Sequence, residues 1–139
     1  EKYKCSPELI QIEFTEKFAL EAEAEKAIVQ QIQKLQQDGI VFVLDDFGTG
    51  YASLRYLQML PIGKLKIDKS FINSVTKQEK LEKLVQGLVQ FGQSLDLQVV
   101  AEGVESAEQF ALLKRVGCDA VQGYYISPPI SAEEVEKML

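Results

Sequence analysis

The chain has 139 residues, 46% of them hydrophobic, enough for one domain that buries its own core. Fifteen Lys and Arg against 21 Asp and Glu leave a formal charge of −6, which argues against non-specific nucleic-acid binding because phosphate neutralisation needs clustered basic groups. Histidine is absent, which removes serine, cysteine and zinc-histidine chemistry and leaves carboxylates, lysine, amides and hard oxygen-bound metals.

Cys5 and Cys118 lack metal-ligand spacing and read as reduced thiols, in line with a cytoplasmic protein. No run approaches the roughly 18 apolar residues of a membrane span, and the charged start Glu1-Lys2-Tyr3-Lys4 leads into no signal-peptide core. The chain is therefore expected to be soluble, although a longer parent could be tethered to a membrane.

In chain order, five strand-like runs alternate with helical ones. The first, residues 9–14, is followed by Leu20, Ala24, Ala27, Ile28, Ile32 and Leu35 at helical spacing, which predicts a helix over 19–37 stopped by Asp38-Gly39. The second strand, 41–45, is a β-branched and aromatic run too short for a helix core. It ends in Asp45-Asp46 and turns on Gly48 and Gly50, and helical spacing resumes from Ser53 through Leu54, Leu57 and Leu60. The third strand, 64–68, precedes a helix over 81–95. The fourth, 98–102, precedes the capping-box candidate Ser106-Ala107-Glu108-Gln109; the fifth, 120–122, precedes Pro128-Pro129 and a second candidate, Ser131-Ala132-Glu133-Glu134. No linker, low-complexity tract or second domain is visible.

This β-α order predicts a parallel sheet covered by helices. Strand parity adds more. Gln11 and Glu13 share one face while Ile12 and Phe14 take the other; Lys64, Lys66 and Asp68 oppose Leu65 and Ile67; Gln98, Val100 and Glu102 oppose Val99 and Ala101. One face is apolar and can meet helices. The other grows polar toward the strands' carboxyl ends, where Glu13, Asp45, Lys66, Glu102 and Gln122 gather, as in a barrel with a polar mouth. A doubly wound sheet would bury Lys66 and Glu102 under helices, at several kcal/mol per unpaired ion. A (β/α)8 barrel needs eight strands and ~250 residues, so five strands are expected to be the C-terminal part of one.

Paired carboxylates at a strand end are costly side by side unless a cation sits between them, so Asp45-Asp46 reads as a cation site. Five segments in order, Glu13-Phe14-Thr15-Glu16, Asp45-Asp46-Phe47-Gly48-Thr49-Gly50-Tyr51-Ala52-Ser53-Leu54, Leu65-Lys66-Ile67-Asp68, Ala101-Glu102-Gly103-Val104-Glu105 and Gln122-Gly123-Tyr124-Tyr125, resemble the motifs of the EAL-domain cyclic-di-GMP phosphodiesterases. The resemblance covers residues 1–139 and only the later part of that family's modified TIM barrel. The naming Glu-Ala-Leu tripeptide and an asparagine ligand would lie upstream; Glu21-Ala22-Glu23-Ala24, on a helix, is no substitute.

The resemblance implies a two-metal site for Mg²⁺ or Mn²⁺. Glu13 and Asp45 would hold one ion and Asp46 the second, with Asp45 bridging. Lys66 would orient or activate the attacking water, helped by Glu102, with Gln122 completing the site and Glu105 as a supporting carboxylate. Glu16 would hold the loop from Phe47 to Ser53, which couples metal binding to dimerisation. The implied reaction is hydrolysis of cyclic-di-GMP to linear pGpG in bacterial signalling, by a homodimer whose parent chain carries sensory or GGDEF domains. The isolated segment, with two open sheet edges and two ligands missing, is expected to be nearly inactive and to pair through those edges.

Each residue also has a plainer use. Asp45 could cap a helix, Lys66 could snorkel to Asp68, Glu102 and Glu105 could be a solvated cluster at a helix start, and Gln122 a barrel amide. Tyr124 and Tyr125 read as packing residues. An inactive cyclic-di-GMP receptor or interaction module is the alternative function, and an unrelated one-metal acidic barrel lyase accounts for Asp45 and Lys66 but not for all five motifs.

Overall fold

The computed structural model describes residues 5–23, 26–49 and 56–138. Five strands, β1 (Gln11–Thr15), β2 (Val41–Phe47), β3 (Lys64–Ile67), β4 (Gln98–Ala101) and β5 (Ala120–Val121), form one sheet in the order β1-β2-β3-β4-β5. Every neighbouring pair is parallel. Helices separate them: α1 (Glu16–Glu23) and α2 (Lys26–Gln37), α3 (Tyr56–Met59), α4 (Lys69–Ile72) and α5 (Glu79–Ser94), α6 (Ala107–Arg115), then α7 (Ala132–Glu136) after β5. This is the α/β architecture expected from the alternation of patterns. Among the described residues no helix is long and apolar enough to cross a membrane.

Differences from the sequence reading lie at element ends. Residues 7–9 form a 3-10 turn rather than the start of β1, because Pro7 suits a helical first position and cannot donate to a strand ladder. The helix expected over 19–37 is described as α1, which already begins at Glu16, and α2; residues 24 and 25 between them lie outside the described set, as do 50–54 of the Asp45-Asp46 motif. Asp68 does not extend β3. It caps α4, a helix the periodicity did not reveal, its carboxylate accepting the Ser70 N–H at 2.9 Å. Both capping boxes form as expected, at Ser106/Gln109 and Ser131/Glu134.

Parity sorts the two faces. Phe14, Phe42, Leu44, Leu65, Ile67, Val99 and Ala101 pack with Val29 and Ile32 of α2, Val85 and Val89 of α5, and Leu112 and Leu113 of α6. Each of these side chains other than Ala101 contributes roughly 1.5–3 kcal/mol on burial. The opposite face lines a cleft of about 390 Å³ bounded by Gln11, Glu13, Val43, Lys64, Lys66 and Gln122. β1 and β5 form the edges of the sheet.

α5 approaches β4 closely enough that a Cβ on Gly92 would lie 2.5 Å from Val99 Cγ2, whereas one on Gly87 would meet nothing within 4 Å. Gly92→Ala should therefore destabilise by roughly 1–3 kcal/mol through overpacking. Gly87→Ala should stabilise by about 0.5–1 kcal/mol through helix propensity. Denaturant melts decide: equal shifts of the same sign would show that α5 does not seat on β4 through Gly92.

Candidate active site

Lys66 is the centre of the polar face. Its side chain projects from β3 into the cleft, only 6% exposed. Its ammonium lies 2.6 Å from Glu102 Oε1 beyond β4, 2.9 Å from Glu13 Oε2 on β1 and 3.4 Å from Asp45 Oδ1 on β2. Burial alone would push the lysine pKa down. The hydrogen bonds that Lys66 donates to Glu102 and Glu13 and the charges of Glu102 and Asp45 outweigh it, so the group titrates above the ordinary lysine value and is an ammonium at neutral pH. The snorkelling pair with Asp68 does not form, since Asp68 is engaged at the start of α4.

Asp45 and Asp46 sit in an irregularity of β2. Three steps along β2, Leu44 to Phe47, match two along β3, Leu65 to Ile67, so β2 carries one extra residue. Asp46 takes the left-handed region at φ 55°, a conformation that Asp and Asn tolerate better than other side chains. In a regular strand the two carboxylates would point to opposite faces. Here one oxygen from each of Asp45, Asp46 and Glu102 falls within 4.8 Å of the others, all half-buried. Asp45 Oδ1 also accepts the Asp46 N–H at 3.0 Å, and Thr49 closes the turn, its hydroxyl donating to the Asp46 carbonyl at 2.9 Å. Burial, then the charges of Asp45 and Asp68, raise the Asp46 pKa.

The remaining candidates are placed less centrally. The Glu13 side chain is 47% exposed and reaches Lys66 rather than joining the three-carboxylate group. Gln122 continues the ladder beyond β5, its N–H donating to Ala101 O at 2.8 Å and its carbonyl accepting from Val104 at 3.1 Å. Gln122 lines the main cleft and also a smaller one with Lys69, Glu102, Gly103, Glu105 and Tyr124. Glu105 is exposed there. Glu16 is buried at the first turn of α1, but residues 50–53 of the loop assigned to it lie outside the described set. Tyr125 packs on Phe110 with ring centroids 5.4 Å apart; Tyr124 is 68% exposed and does not pack as expected.

Sequence reasoning missed the bulge and the loop contacts around it. A signal for the bulge was present, because two consecutive residues of a period-two strand cannot both face one site. Gly48, at φ +94°, has the Phe71 ring 2.9 Å from where a Cβ would stand, and Gly123 has Val104 backbone atoms at 2.3 Å.

A family model described as "EAL domain" matches residues 1–129. The signaling protein YkoW of Bacillus subtilis is 41% identical over 139 residues, 99% of this chain and 17% of that protein. MucR of Pseudomonas aeruginosa, a bifunctional diguanylate cyclase/cyclic di-GMP phosphodiesterase, is 38% identical over 135 residues, 96% of this chain and 19% of that protein. A solved structure of the MucR phosphodiesterase in complex with c-di-GMP superposes with a TM-score of 0.87 at 36% identity, covering 96% of this chain and 53% of that one. The chain thus spans under a fifth of the length of these curated relatives and about half of the solved domain.

Substitutions at two positions test this geometry in metal-free protein. Lys66→Met leaves partly solvated carboxylates unneutralised and should cost roughly 2–3 kcal/mol, below the range for fully buried pairs. A folded pKa above the unfolded value of 10.5 means the Lys66 contribution is complete below about pH 10 and fades as pH rises further. A wild-type advantage over Lys66→Met that vanished by pH 8 would refute the assignment. Asp46→Asn should keep or raise the melting temperature in chelator, because it removes a repelled charge while retaining a residue suited to positive φ; Asp46→Ala should cost about 1 kcal/mol. A large loss for Asn would show that the Asp46 carboxylate is a structural contact.

Proposed function

This chain belongs to the EAL-domain family, and on that premise we propose that it supplies the C-terminal catalytic half of a metal-dependent phosphodiesterase that opens cyclic-di-GMP to linear pGpG. The observation that carries the reading is the buried Lys66 ammonium held at 2.6–3.4 Å by carboxylates from three other strand ends, beside the Asp45, Asp46 and Glu102 oxygens. Four carboxylates face one ammonium, which leaves an excess of negative charge that a phosphodiester anion cannot enter unaided.

The donor set fits a hard divalent cation: all three clustered groups offer carboxylate oxygens, and burial, followed by the charges of Asp45 and Asp68, raises the Asp46 pKa. Asp45, Asp46 and Glu102 would hold Mg²⁺ or Mn²⁺, with Glu13 facing them across Lys66. When bound, such ions lower the pKa of water and offset charge on a phosphodiester in an in-line displacement. Lys66, protonated in the metal-free arrangement, acts as a hydrogen-bond donor that orients the carboxylates and the incoming water rather than as a resting base. The Gln122 amide borders the same cleft and can orient water or substrate by donating or accepting. Glu105 adds a carboxylate to the adjoining cleft, and Glu16 anchors the segment that follows Asp46. MucR is named as both a diguanylate cyclase and a cyclic di-GMP phosphodiesterase, which supports a parent chain with further signalling domains such as GGDEF; sensory domains and a homodimer remain part of the proposal.

Purified protein with its complete domain should hydrolyse cyclic-di-GMP with Mg²⁺ or Mn²⁺, and Ca²⁺ should inhibit because its larger, looser coordination does not keep a compact two-ion geometry. Chromatographic detection of pGpG tests this. Micromolar binding of cyclic-di-GMP with no turnover would replace the enzyme reading with that of a receptor.

A further inference from the structure

The loop that carries Glu102 and Glu105 is held by a residue with no part in the resemblance. Gln109, in the first turn of α6, is 7% exposed and uses both ends of its amide. Its Oε1 accepts the N–H groups of Glu105 at 2.7 Å and Ser106 at 3.0 Å, and its Nε2 donates to the carbonyl of Ile72, the last residue of α4, at 3.1 Å. A capping box requires only the Ser106 bond, together with the return bond that the Gln109 N–H donates to Ser106 Oγ. The bonds to Glu105 and Ile72 are additional. The bond to Ile72 also explains an amide here, because glutamate satisfies a capping box but has no donor for a carbonyl.

α4 begins three residues after Lys66, and the same loop touches it a second time. Gly103, at φ +68°, passes so close that a Cβ would stand 2.5 Å from Lys69 Cβ. The loop after β4 is thus pinned to the helix after β3 at Gly103 and at Gln109, with Glu102 and Glu105 between or beside the pins. We propose that Gln109 is a positioning residue, which sets the Glu102–Glu105 loop against Lys66 and the Asp45-Asp46 pair and so keeps the carboxylates spaced for a divalent cation. The inference rests on the reading of Asp45, Asp46 and Glu102 as a metal centre.

Mn²⁺ titration monitored by calorimetry on protein with its complete domain, with melting temperature and steady-state turnover of cyclic-di-GMP on the same samples, separates positioning from capping. Gln109→Met removes all three bonds of the amide at similar volume. Ser106→Ala removes the cap from its other side and leaves Gln109 in place. Both should lower the melting temperature by a few degrees. Only Gln109→Met should weaken Mn²⁺ binding, by about tenfold as for other residues that orient metal ligands, with kcat falling and KM within twofold. Gln109→Glu, which keeps the cap, should not restore Mn²⁺ affinity. Mn²⁺ affinity unchanged in Gln109→Met, or equally weakened in Ser106→Ala, overturns the proposal and leaves the metal centre standing. Wild-type protein that binds no Mn²⁺ overturns the metal centre, and this inference with it.

Discussion

A lysine ammonium taken almost wholly out of water is tolerable only if anions surround it, and carboxylates crowded at strand ends are tolerable only if a cation separates them. Lys66 meets both requirements at once. Its partners come from β1, β2 and the residue after β4, so the ion cluster ties together four of the five strands at their carboxyl ends. The parallel order of the sheet is what makes this possible, since parallel strands bring all their carboxyl ends to one rim. The apolar face holds the sheet to its helices, and the polar face is organised around this one charge.

The cluster does not neutralise itself. With more carboxylate than ammonium, the rim carries repulsion, which adds to burial in raising the pKa of Asp46 through the charges of Asp45 and Asp68. The bulge in β2 increases that repulsion by turning Asp46 toward Asp45 and Glu102 instead of letting strand alternation separate them. Structure that brings like charges together against their electrostatic preference is structure suited to an absent counter-charge. Under the proposed function, an acidic chain would need such counter-charge in the site itself, because its overall field repels an anionic diester.

Loop geometry is held by close approach rather than by bulk. Gly48 lies on Phe71, Gly103 on Lys69 and Gly123 on Val104, at distances that leave no room for a Cβ. Two of these contacts converge on α4, a four-residue helix capped by Asp68. Gly48 after β2 and Gly103 after β4 are therefore positioned against the same short element that follows Lys66, which fixes the rim as a unit.

Much of this was legible in the chain itself. Alternation along 98–102 and 64–68 assigned Val99, Leu65 and Ile67 to the helix-facing side and Lys66 and Glu102 to the other, because side-chain period in a strand is a local property. Ser106-x-x-Gln109 announced its capping box for the same reason: the bonds close within four residues. The ordered motifs identified the family and with it the candidate ligands. What the sequence by itself did not determine was how these residues meet. The bulge that aims Asp46, the choice of Glu13 and Glu102 over Asp68 as partners of Lys66, and the bond from Gln109 to Ile72, 37 residues away, depend on the positions of neighbouring strands and helices. Periodicity reports which face a residue occupies; only the packed sheet decides which charges share that face at bonding distance.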